Sequence, residues 1–215
     1  MICYSAQAEN PPETHKATGF LDFNYYYDSR DFNVTTINIL ANLKNRFQYF
    51  SLTNYTNSIG TPHNFEHTDY YTEQNLRWAF SEQSPFDLTA QWLTRSSGTN
   101  DALRLGFRYR IKPFSELSYS INVHAVQFDT SPIYYWQIEH VYSLNILPQL
   151  LNHRAYLSGF LDHNIGNRKN TVVTEHQIGY RLIDALHAVI EYRFNGYLTD
   201  EKSGIGYGLQ YKIGF

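Results

Sequence analysis

The chain has 215 residues with a formal charge of −3, 17% aromatic residues (19 Tyr and 14 Phe), and Met and Cys once each. Mean hydropathy is −0.47 and no run approaches the roughly 18 uninterrupted apolar residues of a transmembrane helix, which excludes a helical membrane protein. A nearly neutral chain gives no bulk attraction to nucleic acid, whereas the excess of Tyr and Phe suits strands and the belts at membrane interfaces.

Residues 1–8 (MICYSAQA) end in Ala6-Gln7-Ala8, a small-x-small pattern like a signal-peptidase site. They are expected to be a residual signal-peptide segment, with 9–17 a polar periplasmic segment and 18–215 a single barrel domain. A chain starting at Glu9 then has no cysteine, as suits an envelope protein stabilised by a closed sheet.

Twelve segments of about 9 to 13 residues alternate apolar with polar side chains, the pattern and length of tilted membrane-crossing strands. In chain order they are 18–27, 33–43, 46–55, 70–80, 86–95, 102–111, 117–127, 133–142, 154–163, 172–182, 185–194 and 205–215. Short connections (44–45, 82–85, 112–115, 183–184) mostly alternate with longer ones rich in Gly, Asn, Ser and Thr (54–69, 96–100, 164–170, 196–204). The exceptions are a short outer turn at Ser29-Arg30 and a long inner connection, 146–153, containing Pro148 and expected to hold a turn of helix. The expected fold is all-β: a transmembrane, antiparallel, up-and-down β-barrel of about 12 strands in the bacterial outer membrane.

Segment 102–111 tells the two faces apart. Leu103, Leu105, Phe107, Tyr109 and Ile111 alternate with Arg104, Arg108 and Arg110. A lipid-facing Arg near the bilayer midplane costs ~2–4 kcal/mol, so the arginines are expected to point into the lumen. The same reasoning sends Leu117, Tyr119, Ile121, Val123 and Ala125 outward, and Ser118, Ser120, Asn122 and His124 inward. Over all strands the inferred lumen carries Asp22, Arg46, Glu73, Arg77, Asp87, Arg95, Arg104, Arg108, Arg110, Glu139, Arg154, Asp162, Glu175, Arg181, Glu191, Arg193 and Lys212. Phe20, Tyr26, Phe50, Tyr71, Tyr135, Tyr156 and Phe160 share that face. Opposite charges on neighbouring strands can be a structural network; alternatively they are a selectivity lining whose aromatic rings offer stacking faces to a flat solute. On the second reading the pore-lining, substrate-contacting residues are Asp22, Tyr71, Glu73, Arg77, Arg104, Arg108, Arg110, Tyr156, Phe160 and Asp162, with the three arginines at the constriction.

Residues 207–215 close the series, with Tyr207, Leu209, Tyr211, Ile213 and Phe215 alternating with Gly, Gln and Lys. An amphipathic strand ending on an aromatic is the usual last strand of such barrels. It is expected to engage the outer-membrane barrel assembly machinery.

The stretches DFNVTTINILANLKNRFQYFSLTNY (31–55), NLRWAF (75–80), SPFDLTAQW (84–92), YYWQIEHVYSL (134–144) and FLDHNIG (160–166) resemble the nucleoside-specific channel-forming proteins of the Tsx type. The resemblance implies a passive twelve-stranded channel for small polar solutes such as nucleosides, without chemistry, cofactor or metal. Expected partners are membrane lipid, lipopolysaccharide and a small polar solute, and no nucleic acid. A porin for acidic oligosaccharides suits the arginines. An outer-membrane lipid hydrolase, or a purely structural barrel, stays open, although neither His140 nor His163 forms a His-x-Ser pair and His63 and His67 fall in a loop. Replacing Arg104, Arg108 and Arg110 together with Ala is expected to change single-channel conductance and ion preference in planar bilayers. Unchanged conductance would remove 102–111 from the pore lining.

Overall fold

Alternation of apolar and polar residues gives a strand two unlike faces, and bending the sheet until its edges meet hides the polar face. The computed structural model describes residues 17–57, 69–97, 101–129, 134–166 and 170–215, with the backbone alone at 134–135. The segment 1–8, most of 9–17, His63, His67 and the side chain of Tyr135 lie outside the described residues.

The strands are β1 (Thr18–Asp28), β2 (Phe32–Asn42), β3 (Phe47–Thr56), β4 (Asp69–Ala79), β5 (Phe86–Arg95), β6 (Ala102–Phe114), β7 (Leu117–Asp129), β8 (Tyr134–Asn145), β9 (Ala155–Gly166), β10 (Thr171–Ile183), β11 (Leu186–Asn195) and β12 (Ser203–Gly214). Each pairs antiparallel with its sequence neighbours, and β1 pairs with β12 from Phe20↔Gly214 to Asp28↔Gly206, closing the barrel. Reciprocal bonds between the backbones of Gly19 and Phe215 (2.9 and 3.1 Å) seal the seam at its lower end. The start of β1 and the end of β12 share that end with the turns at 43–46, 80–85, 115–116, 146–154 and 184–185. In an outer-membrane barrel this is the periplasmic end.

The twelve strands match the alternating segments to within three residues at each end. Lys44–Arg46 forms a 3₁₀ turn, so Arg46 is exposed at the periplasmic rim, its guanidinium over Trp78, rather than on the lumen face. The 146–153 connection holds one helical turn, closed by Leu151 N–H to the Leu147 carbonyl (2.9 Å), without forming a helix.

Burial is inverted relative to a water-soluble domain. The most buried described side chains include Gln91, Gln137, Asn75, Asn122, His124 and Asp87, whereas Leu103, Leu105, Phe107, Ile178, Ile190 and Leu209 are exposed. Two aromatic rows bound this apolar surface, with Phe86, Tyr109, Tyr180 and Tyr211 towards the periplasmic end and Tyr25, Tyr70, Trp92, Phe128 and Tyr207 towards the other. An apolar outer band between aromatic girdles around a polar interior is what a hydrocarbon solvent selects.

One departure from alternation lies between β6 and β7. Leu105 pairs with Val126 but Gly106 with His124, leaving Ala125 as a bulge. Ala125 and Val126 are both exposed, and beyond them Gln127 and Asp129 take the lumen side. A Cβ on Gly106 would lie 1.9 Å from the Val123 carbonyl oxygen, so this close approach demands glycine. Gly179 has another role: the Tyr156 ring lies where its Cβ would be, 2.2 Å away. Ile190 is 58% exposed at the middle of β11. Ile190→Arg is expected to destabilise the folded barrel by ~2–4 kcal/mol. Urea unfolding in phospholipid vesicles measures the loss.

Candidate functional site

The lumen is a cavity of about 1340 Å³ to which every strand contributes lining side chains, from Asp69 and Tyr197 at the outer end to Lys112 and Arg154 at the periplasmic end. Asp22, Tyr71, Glu73, Arg77, Arg104, Arg108, Arg110, Tyr156, Phe160 and Asp162 all border it. They do not form one cluster. All but Asp22, on β1, divide between two walls.

The basic wall is built by β4, β5 and β6. Arg104 has no carboxylate within ion-pair distance among the described residues; three glutamines surround it instead. Its Nη1 donates to the amide oxygens of Gln91 (2.8 Å) and Gln137 (2.9 Å), and its Nε to that of Gln127 (2.8 Å). The amide nitrogens of two of these glutamines point away, Gln137 to Asp162 (2.9 Å) and Asn164 (3.1 Å), Gln127 to Asp129 (2.9 Å). Each amide dipole thus lies between a cation and an anion, and Arg104 is fixed without being neutralised.

Lower on β6, Arg108 Nε reaches Asp87 Oδ2 at 2.5 Å and Arg110 Nε the same oxygen at 3.2 Å. Gln48 Oε1 accepts from Arg108 (2.8 Å) and from Arg77 (3.2 Å). Of the three-arginine ladder, then, two share one carboxylate, which offsets only one of their charges, and Arg104 has no carboxylate within ion-pair distance among the described residues.

Four of the lumen rings expected to offer stacking faces are already occupied. Arg77 sits over Phe50 (5.5 Å), Arg95 over Tyr71 (5.3 Å), Arg193 over Tyr26 (5.1 Å) and Lys212 over Phe20 (3.9 Å). Tyr156 is held across Gly179, its hydroxyl reaching Gln210 (2.6 Å) and Gln177 (2.9 Å). The rings act as mounts for cations. The Nε atoms of Arg77 and Arg95 are buried and have no hydrogen-bond partner among the described residues.

The acidic wall lies opposite, on β8 to β11, with Glu139, Asp162, Glu175 and Glu191. Glu139 accepts from Asn122, and His124 Nε2 lies 3.8 Å from it. Glu191 pairs with Arg193, while Asp162 Oδ1 has no hydrogen-bond partner among the described residues. Glu73, on β4, accepts from Asn75 (2.6 Å) and Tyr71 (3.1 Å); Asp22 accepts from Asn24 (2.7 Å), Asn38 (2.9 Å) and Gln210 (3.3 Å).

The glutamines at 48, 91, 127, 137 and 177 are absent from the inferred charged and aromatic lining, although all but Gln127 follow the same alternation as its charges. On the lipid face, His176 lies between the Tyr142 hydroxyl (2.7 Å) and Thr174 Oγ1 (2.8 Å), a Thr-x-His pair on one strand face. The Thr174 hydroxyl donates to the Phe160 carbonyl (2.5 Å). Its proton is therefore committed to the backbone, and this pair is not arranged as nucleophile and base.

No family model and no curated protein matches the chain. Among solved structures the barrel is similar to the KdgM porin (TM-score 0.59, 13% identity, 89% of this chain and 98% of that one). The KdgM porin in complex with disordered oligogalacturonate matches at a TM-score of 0.58, 14% identity and the same coverage. At such identity the likeness shows the fold alone, a closed twelve-stranded barrel of the outer-membrane porin type, and with the apolar girdled exterior it places the chain in the outer membrane.

Asp87 is buried between two guanidinium groups, so Asp87→Ala is expected to cost ~3–5 kcal/mol by leaving them uncompensated. Asp87→Asn, which can still accept one hydrogen bond, is expected to lose less. Urea unfolding of the two variants side by side tests the difference.

Proposed function

We propose that the barrel is a passive diffusion channel for small acidic, hydroxyl-rich solutes, of which acidic oligosaccharides are the best fit. The observation that carries this reading is the state of the basic wall. Arg77, Arg95 and Arg104 lie in none of the ion pairs among the described residues, and two of them are pressed onto aromatic rings that would otherwise offer stacking faces. A carboxylate passing this wall finds fixed, partly desolvated guanidinium groups, and charge-assisted hydrogen bonds to them are the strong ones. The amides, hydroxyls and carboxylates around the rest of the bore supply donors and acceptors for sugar hydroxyls. The oligogalacturonate complex of the similarly folded KdgM porin supports the same choice.

Nucleoside passage, implied by the resemblance to the Tsx-type channels, calls for free ring faces in the bore. Phe20, Tyr26, Phe50 and Tyr71 each carry a cation instead, which favours anion recognition over base stacking. The mechanism involves no bond making. Many moderate contacts spread along the bore let a solute bind and leave, the condition for conduction.

Swelling of proteoliposomes in trigalacturonate, maltotriose and uridine tests the proposal. The acidic trisaccharide is expected to enter faster than the neutral one, and Arg77→Gln/Arg95→Gln/Arg104→Gln to slow it about tenfold, equivalent to ~1.4 kcal/mol, with maltotriose little changed. Faster uptake of uridine than of either sugar would overturn the acidic reading in favour of nucleosides.

A further inference from the structure

Charge is separated along the barrel axis as well as across it. At the outer end the strands and their connections carry Asp31, Asp69, Asp101, Asp129, Asp200 and Glu201, set against Arg95, Lys202 and the internally paired Arg30–Asp28 among the described residues. The connections outside the described residues add Glu66, Arg168 and Lys169 by sequence, which leaves acids in the majority there. At the periplasmic end Lys44, Arg46, Lys112, Arg154 and Arg181 outnumber Glu82, Glu116 and Asp184 among the described residues, and by sequence the segment ahead of β1 adds Glu9, Glu13 and Lys16. Lys112 and Arg154 border the main cavity; Lys44 and Arg46 border a second cavity of about 620 Å³ at the same end, shared with Arg77, Arg108 and Arg110.

From this arrangement we infer that the channel is a bipolar ionic rectifier, conducting small ions better in one direction and biasing anionic solutes to collect at its periplasmic end. The inference rests on the channel reading above. At 0.1 M salt the Debye length is ~10 Å, comparable to the half-width of a narrow bore, so the charge of each mouth sets which ions it admits. The acidic outer mouth admits cations and the basic periplasmic mouth admits anions. When the outer compartment is positive, cations move in through the outer mouth and anions through the periplasmic one. Each ion uses the mouth that favours it, the bore fills with carriers, and current is high. Reversed polarity forces each ion through the mouth that disfavours it and depletes the bore. An acidic solute inside the bore is drawn towards the more positive potential of the periplasmic end, where the arginines and lysines hold it until it leaves.

The test is the current–voltage relation of single channels in planar bilayers of neutral phospholipid with KCl alone. The outer side is identified by a membrane-impermeant thiol reagent acting on Thr199→Cys in a Cys3→Ser chain. In 0.1 M KCl the current at 100 mV with the outer side positive is expected to exceed the reversed current by about twofold or more. In 1 M KCl, where the Debye length is ~3 Å, the ratio is expected to approach one. Replacing Lys44, Arg46, Lys112, Arg154 and Arg181 with Gln is expected to abolish the asymmetry at 0.1 M; of these Arg181 alone is not fully exposed, and the set without it keeps the test if the full set fails to fold. Symmetric conductance of the unaltered channel at 0.1 M, rectification of the opposite sign, or asymmetry that survives the substitutions would overturn this inference and leave the channel reading intact. Inserted protein with no conductance at all would overturn both.

Discussion

Everything in this molecule depends on the requirement that no backbone amide or carbonyl face hydrocarbon unpaired. In lipid each such group costs several kcal/mol, so a sheet survives only if its two edges meet. The β1–β12 ladder is where that condition is met, and it runs from Phe20↔Gly214 to Asp28↔Gly206 without a register shift. Once the sheet is closed, alternation leaves half the side chains inside and half against lipid. The polarity of the whole sequence is then assigned by which half each residue falls in.

The interior is accordingly a problem of polar satisfaction. Charges brought into a confined bore need partners, and the chain supplies them in three ways. Carboxylates are shared, as Asp87 is by Arg108 and Arg110. Amides are interposed, as around Arg104. Aromatic faces carry cations, as in the pairs Arg95–Tyr71 and Lys212–Phe20. The first offsets part of the charge; the other two hold it in place while leaving it electrostatically visible. The same residues that make the bore stable therefore decide which solutes feel it.

Strand number, strand limits and the lumen placement of most charged residues were legible in the sequence, because alternation is written into every segment and an arginine has one tolerable direction in a bilayer. The roles of the aromatic residues were not. Phe50 and Tyr71 sit at lumen positions in either case, but whether a ring faces the solute or a guanidinium depends on cross-strand register, which brings Arg77 and Arg95 to them. The glutamines escaped notice for a related reason: a neutral amide gives no sign of its function until the ions on either side are placed. Arg46 was misplaced because the turn at Lys44–Arg46 takes its backbone through positive φ at Asn45 and Arg46, which ends the alternation one residue early.

The bulge at Ala125 shows how much one residue can decide. Strict alternation continued through β7 would have put Val126 and Phe128 in water and Gln127 and Asp129 in lipid. Counted as an insertion, Ala125 resets the phase of everything above it and delivers to Arg104 the third of its amide oxygens. In a closed sheet, a single added or lost residue is therefore a switch between two sequences with the same letters and opposite linings. New selectivity can in this way arise by a shift of frame within a strand, without any side chain being replaced.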